Sequence, residues 1–165
     1  MVMRACRPSI FAILLLVLAS STRGAAPSDP SVSFLVSAKN PVRDVSAGDL
    51  RRIFLGEISR WSNGHRIILF VRPSDTPEGR LFLDRLVRMS DIDYSQWWLG
   101  AVFRGRASSA PRVIDSHEGM VKAIATTPDA IGFVVSTPAA LESGVAVVAV
   151  EGRAPSDPRY LVSSR

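Results

Sequence analysis

Metal, redox and nucleophilic chemistry all need particular side chains, and this chain is poor in them. Its two histidines, His65 and His117, stand apart, and Cys6 is its one cysteine. No HExxH, paired-Cys or EF-hand spacing occurs, so neither a bound metal nor a disulfide framework is expected. No serine lies in a Gly-x-Ser-x-Gly elbow, which leaves a hydrolase without its nucleophile. Asp91 and Asp93 look like paired carboxylates, yet they sit at a helix entry, where capping is the ordinary role. Trp61, Trp97 and Trp98 could stack on a ligand, but they read first as core aromatics. His65 follows a turn glycine and reads as solvated, and His117 as a surface residue of a helical first turn. What remains is the run Val71-Arg72-Pro73-Ser74-Asp75-Thr76-Pro77-Glu78. The Arg72 fork can hold an oxyanion, or it can pair with Glu78 or Asp75 across the turn. Ser74 and Thr76 can be ligands or caps for the helix that follows. From these residues no catalytic residue and no cofactor is expected.

The elements that must carry this loop can be read from periodicity. Ser31 to Ser37 has the length and apolar content of a buried strand, closed by an Asn40-Pro41 turn. Ser46-Ala-Gly-Asp49 starts a helix in the manner of a capping box. Leu50, Ile53 and Phe54 form its apolar face, and Gly56 supplies the left-handed stop. A turn at Ser62-Asn63-Gly64 precedes a second strand, Arg66 to Val71. A loop from Pro73 to Pro77 leads into a helix from Glu78 to Met89 with Phe82, Leu86 and Met89 on one stripe. Asp91 to Phe103 reads as a third helix ended by Gly105, and Arg112 to Ile114 as a short strand. Ser116 caps a helix with Met120, Val121 and Ile124 inward, stopped near Thr127-Pro128. Two β-branched strands follow, Ile131 to Val135 and Val145 to Val150, with a helical turn near Pro138 to Leu141 between them. Gly132 reads as a point where another backbone comes close. Strands alternating with helices predict one α/β domain, with a central, mostly parallel or mixed sheet flanked by helices.

The N-terminus reads as an address. Arg4 and Arg7 precede the apolar run Ile10 to Ala19, which is too short to span a bilayer and suits a signal-peptide core. Cleavage after Ser21 or after Gly24 would each satisfy the small-residue rule, and an uncleaved anchor is the competing reading. The organisation expected is a signal peptide over 1–24, a mobile lead-in over 25–30, the domain over 31–150 and a tail over 151–165. The protein would then be periplasmic, and its mature form would lack cysteine, because Cys6 leaves with the signal. The chain of 165 residues carries 20 basic and 15 acidic side chains, a net of +5. Loss of Arg4, Arg7 and Arg23 leaves 17 against 15, a net of +2. The remaining arginines are scattered among Asp and Glu, which reads as a solvated surface and not as a nucleic-acid stripe.

Three segments in order resemble the periplasmic phosphate-binding proteins of ABC transporters, in the type 2 periplasmic-binding superfamily. The first runs from Asn40-Pro41-Val42 through Leu50-Arg-Arg-Ile-Phe-Leu-Gly56 to Trp61. The second is Val71-Arg72-Pro73-Ser74, in the place of the family's Arg-containing phosphate loop. The third, Thr127-Pro128-Asp129-Ala130-Ile131-Gly132-Phe133, is similar to the family's Thr-Pro-Gly-Ala-Ile-Gly-Tyr. The resemblance covers about Val32 to Val135 and implies a single lobe of a two-lobed binding fold. It implies an inorganic oxyanion, phosphate first, as ligand, with Arg72, Ser74 and Thr76 as contacts. It also implies uptake or sensing, with an ABC permease or another envelope protein as partner.

The chain departs from the family where it matters most. The family's Ser-Gly-Thr at the helix start reads Thr76-Pro77-Glu78 here. Thr76 keeps a hydroxyl, Pro77 deletes an amide donor, and Glu78 brings a negative charge that repels phosphate or turns to Arg72. The rival expectation is therefore a lobe without ligand that docks to an envelope partner through its former cleft face. The direction taken by Glu78 separates the two.

Overall fold

The computed structural model describes residues 31–135, 144–155, 157 and 159–160. Six strands form one mixed sheet in the order β2-β6-β1-β5-β3-β4. They are β1 (Val32–Ser37), β2 (Asp44–Val45), β3 (Ile68–Val71), β4 (Arg112–Val113), β5 (Ala130–Val135) and β6 (Val145–Val150). β1 is antiparallel to both β5 and β6, so Phe34 stands beside Phe133 on one side and Val148 on the other. β2–β6, β3–β5 and β3–β4 are parallel. The two longest pairings are thus the antiparallel ones. Strand β2 carries no local signal in the sequence, and it follows the turn that Asn40 builds by accepting the Val42 amide hydrogen. Strand β3 starts at Ile68 rather than Arg66, which makes only an isolated bridge to Arg60.

Every residue of β1 is buried, because helices cover both faces of the sheet. On one face Phe34, Val36, Ile131 and Phe133 meet α1 (Ala47–Phe54) and α3 (Asp91–Phe103), along with the helical segment between them. On the other, Leu35, Phe70 and Val134 meet Met120, Val121 and Ile124 of α4 (His117–Thr126). Aromatic rings centre the first layer: Phe82 stacks on Phe133 at 4.5 Å, and Phe54 meets both edge-on. Such pairs add about 0.5–1.5 kcal/mol each beyond area burial.

The caps follow the sequence. Ser46 and Ser90 each accept the amide hydrogen of the residue three positions on, Asp49 and Asp93, and donate to its carboxylate. Gly56 takes φ 72° just past α1. The helix expected from Glu78 to Met89 is instead α2 (Pro77–Leu81) running into a π-helical segment, Phe82–Val87, which ends at Arg88 with φ 56°. Phe82, Leu83, Leu86 and Val87 are all buried in this segment.

Two further expectations change. The close neighbours of Gly132 are side chains, not backbone: an added Cβ would lie 2.7 Å from Met120 Sδ and 3.1 Å from Ile124 Cδ1. The tail expected from residue 151 is tied to the body, since Tyr160 is buried in the main core and Ser31 Oγ donates to the Pro155 carbonyl. The signal peptide, the lead-in and the turn near Pro138 to Leu141 lie outside the described residues.

Candidate functional site

β3 hands Arg72 to the end of the sheet, next to the end of β4, where the Ile114 amide donates to the Val71 carbonyl at 2.9 Å. From that position Arg72 Nη1 donates to the Ile114 carbonyl at 2.6 Å and Nε donates to Glu78 Oε1 at 2.8 Å. The ion pair is withdrawn from water, with the two side chains only 8% and 9% exposed. A buried pair of this kind holds its partners firmly, because parting them strands a charge in a poorly solvating place.

The loop between them is closed on itself. Thr76 is the N-cap of α2: its hydroxyl accepts the Gly79 amide hydrogen at 3.1 Å and donates to the Pro73 carbonyl at 2.7 Å. Pro77 takes the first helical position, where an amide hydrogen would have no acceptor within the helix. Gly79 is pressed against the loop, and a Cβ there would lie 2.0 Å from the Pro73 carbonyl oxygen. That close approach brings Glu78, in the first turn of α2, within reach of Arg72.

Of the three residues expected to hold an anion, Arg72 and Thr76 are thus engaged by the chain itself. Ser74 makes no side-chain hydrogen bond among the described residues. Arg72 and Ser74 line the edge of a cavity of about 540 Å³ that continues past Asp91, Tyr94, Trp98 and Leu99. Its walls are chiefly apolar, and Asp91 is the carboxylate that lines it. Leu99 of α3 and Val113 of β4 line it at 72% and 57% exposure, and α3 also presents Ile92 and Phe103 to solvent at 68% and 90%. Apolar residues this exposed, gathered beside a cavity, are the unusual feature of the surface.

The remaining candidates fall into structural roles. Trp61 is buried and donates from Nε1 to the Asp129 carbonyl, and Trp97 donates to the Leu55 carbonyl. Trp98 is buried and Trp97 partly so. His65 is exposed and meets the Asp129 carboxylate at 3.1 Å. Among the described residues no cluster of three His, Cys, Asp or Glu could hold a metal, and no helix is long and apolar enough to cross a membrane.

A mixed sheet thus lies between helices, with the Arg72 loop at the end of β3. Neither a protein-family profile nor a curated relative matches the sequence. Solved structures do match the fold. A putative phosphate ABC transporter substrate-binding protein with bound phosphate from Clostridium perfringens superposes with a TM-score of 0.61 at 15% identity. The match covers 78% of this chain and 48% of that one. PstS from Borrelia burgdorferi gives 0.62 at 18% identity, over 78% and 50% of the two chains. An ABC-type phosphate transport receptor from Vibrio cholerae gives 0.60 at 17%, over 78% and 49%. The chain spans about half the length of these structures. Its fold is theirs, and its fold neighbours are binding proteins rather than enzymes.

Proposed function

We propose that this chain is a non-enzymatic binding lobe, exported to the periplasm, whose anion seat is closed by its own carboxylate and which acts through contact with an envelope protein. The observation that carries this reading is the buried Arg72–Glu78 pair. A phosphate entering the seat must displace Glu78, and parting a buried pair costs about 3–5 kcal/mol. The donors left to greet it are the Arg72 fork and the Ser74 hydroxyl, at about 1.5–3 kcal/mol for each charged hydrogen bond. The balance falls short of the roughly 8 kcal/mol that micromolar affinity requires. The exposed apolar residues of α3 beside the seat supply the surface for contact.

A second reading, oxyanion binding for uptake or sensing by Arg72, Ser74 and Thr76, is favoured by one specific observation. A fold neighbour was solved with bound phosphate, and here Arg72 and Ser74 share the wall of one cavity. Equilibrium dialysis of the whole chain against labelled phosphate separates the two. Closure predicts no saturable binding up to millimolar phosphate. One-to-one binding at micromolar phosphate would establish the oxyanion reading in its place.

A further inference from the structure

A second cavity, of about 400 Å³, lies along the starts of β3 and β4, away from the Arg72 loop. It is walled by Arg60, Arg66, Arg106 and Arg112, with Ser59 and Ser109 between them, and no Asp or Glu lines it. These arginines come from three separate places: the two flanks of the 61–65 turn, the loop after α3, and β4. None of the four makes an ion pair among the described residues, although elsewhere Arg52, Arg72, Arg153 and Arg159 all do.

Three of the four guanidinium groups also have partners within the chain. Arg60 Nη1 donates to the Gly64 carbonyl at 2.7 Å, Arg66 Nη1 donates to the Ser108 hydroxyl, and Arg106 lies over the Trp97 ring at 5.5 Å. The two hydrogen bonds each use part of a five-donor fork, the ring contact uses only the guanidinium face, and the other donors are left for a ligand. Four like charges around one concavity oppose folding, and a concave wall concentrates their field on whatever enters.

We propose that this cavity is an anion site for a compact multivalent phosphate or phosphate ester, with pyrophosphate as the simplest member. One phosphate brings no more than about two negative charges to four guanidinium groups, whereas linked phosphate groups bring a charge closer to theirs. The volume lies within the range of small-ligand sites, about 300–1,000 Å³. The same chemistry on a lipid headgroup would meet the same arginines, so the test contains both sources.

The probe is pyrophosphate, followed by calorimetry on the whole chain at low salt, with sulfate at matched ionic strength as control. The expected result is saturable one-to-one binding that weakens at least tenfold in Arg112→Gln and is lost in the Arg66→Gln/Arg112→Gln double variant. Arg72→Ala, in the other cavity, should bind as the wild type does. Without ligand, Arg112→Gln should melt higher than the wild type at low salt, because it relieves the repulsion and breaks no side-chain hydrogen bond or ion pair among the described residues. That readout shows the variant to be folded when its binding falls. Absence of saturable binding, equal binding by the double variant, equal heats with sulfate, or binding only to phosphatidic acid vesicles would each overturn the proposal.

Discussion

Arg72 and Glu78, six residues apart in sequence, meet at 2.8 Å with more than nine-tenths of both side chains out of water. Three constraints bring them together: β3 ends at Val71, Thr76 caps α2, and Gly79 lets that helix start touch the Pro73 carbonyl. The carboxylate therefore sits where the loop would otherwise present an arginine to an incoming anion. Such a pair fixes a conformation more than it adds stability, because desolvation offsets most of the attraction.

Breaking the pair from one side should be costly, and removing it whole should not. Glu78→Gln keeps the shape and loses the charge, and unfolding in urea should show a loss of about 3–5 kcal/mol. The Arg72→Met/Glu78→Leu double variant should recover most of that loss. A double variant no better than the single would mean that the pair is not the source of the cost.

Two glycines rank the tightness of the packing. Gly79→Ala sets a Cβ against a backbone oxygen that cannot move alone, and Gly132→Ala sets one against the flexible Met120 side chain. Overpacking a side-chain contact costs about 1–3 kcal/mol, so Gly132→Ala should melt roughly 3–12 °C lower. Gly79→Ala should melt lower still. The reverse order in calorimetry would contradict the account of the loop.

Burial pushes the Tyr94 hydroxyl well above its ordinary value of 10.0, and that of Tyr160 likewise. A raised value in the folded state means that stability is fully present below pH 10 and is lost as pH rises toward the folded value. Each tyrosine should contribute a slope of about 1.4 kcal/mol per pH unit in that window. Tyr94→Phe loses the hydrogen bond to the Phe54 carbonyl, and so should be less stable at pH 7 but show a shallower alkaline fall. An unchanged alkaline slope in Tyr94→Phe would refute the assignment.

The exposed face of α3 should be dispensable for folding. Leu99→Ser and Phe103→Ser should change stability by no more than about 0.5 kcal/mol, as surface substitutions do. Both should reduce binding of a hydrophobic fluorescent dye to the folded chain. A large loss of stability would show that these side chains are packed, and the contact surface would have to lie elsewhere.

How much of this was written locally in the sequence varies by element. Caps such as Ser46 and Ser116 and stripes such as Met120-Val121-Ile124 are local, and the structure has them as expected. A strand buried on both faces reads the same whichever way its neighbours run, so the antiparallel seat of β1 between β5 and β6 was not legible. Neither was β2, two residues long and defined only by a partner about a hundred positions away. The π-helical segment hides inside a pattern that fits an α-helix equally well. At the site, the residues Arg72 and Glu78 were visible as possible partners, but their choice of each other rests on burial. Arg60, Arg66, Arg106 and Arg112 looked like scattered solvated charge, because only the fold brings the 61–65 turn, the loop after α3 and β4 to one concavity. The absence of acidic neighbours within that concavity was the sole signal, and it too is spatial.

The closed seat is tested most directly by the melting temperature of the wild type and Glu78→Thr with and without millimolar phosphate, against sulfate at equal ionic strength. Closure predicts a wild type that does not move. It predicts that Glu78→Thr, less stable alone, rises on the order of 10 °C as phosphate approaches a hundredfold excess over its dissociation constant. Arg72→Ala added to Glu78→Thr should remove that rise, which keeps the effect at this loop. A wild type that rises as far as Glu78→Thr, or further, would contradict the claim that Glu78 fills the seat.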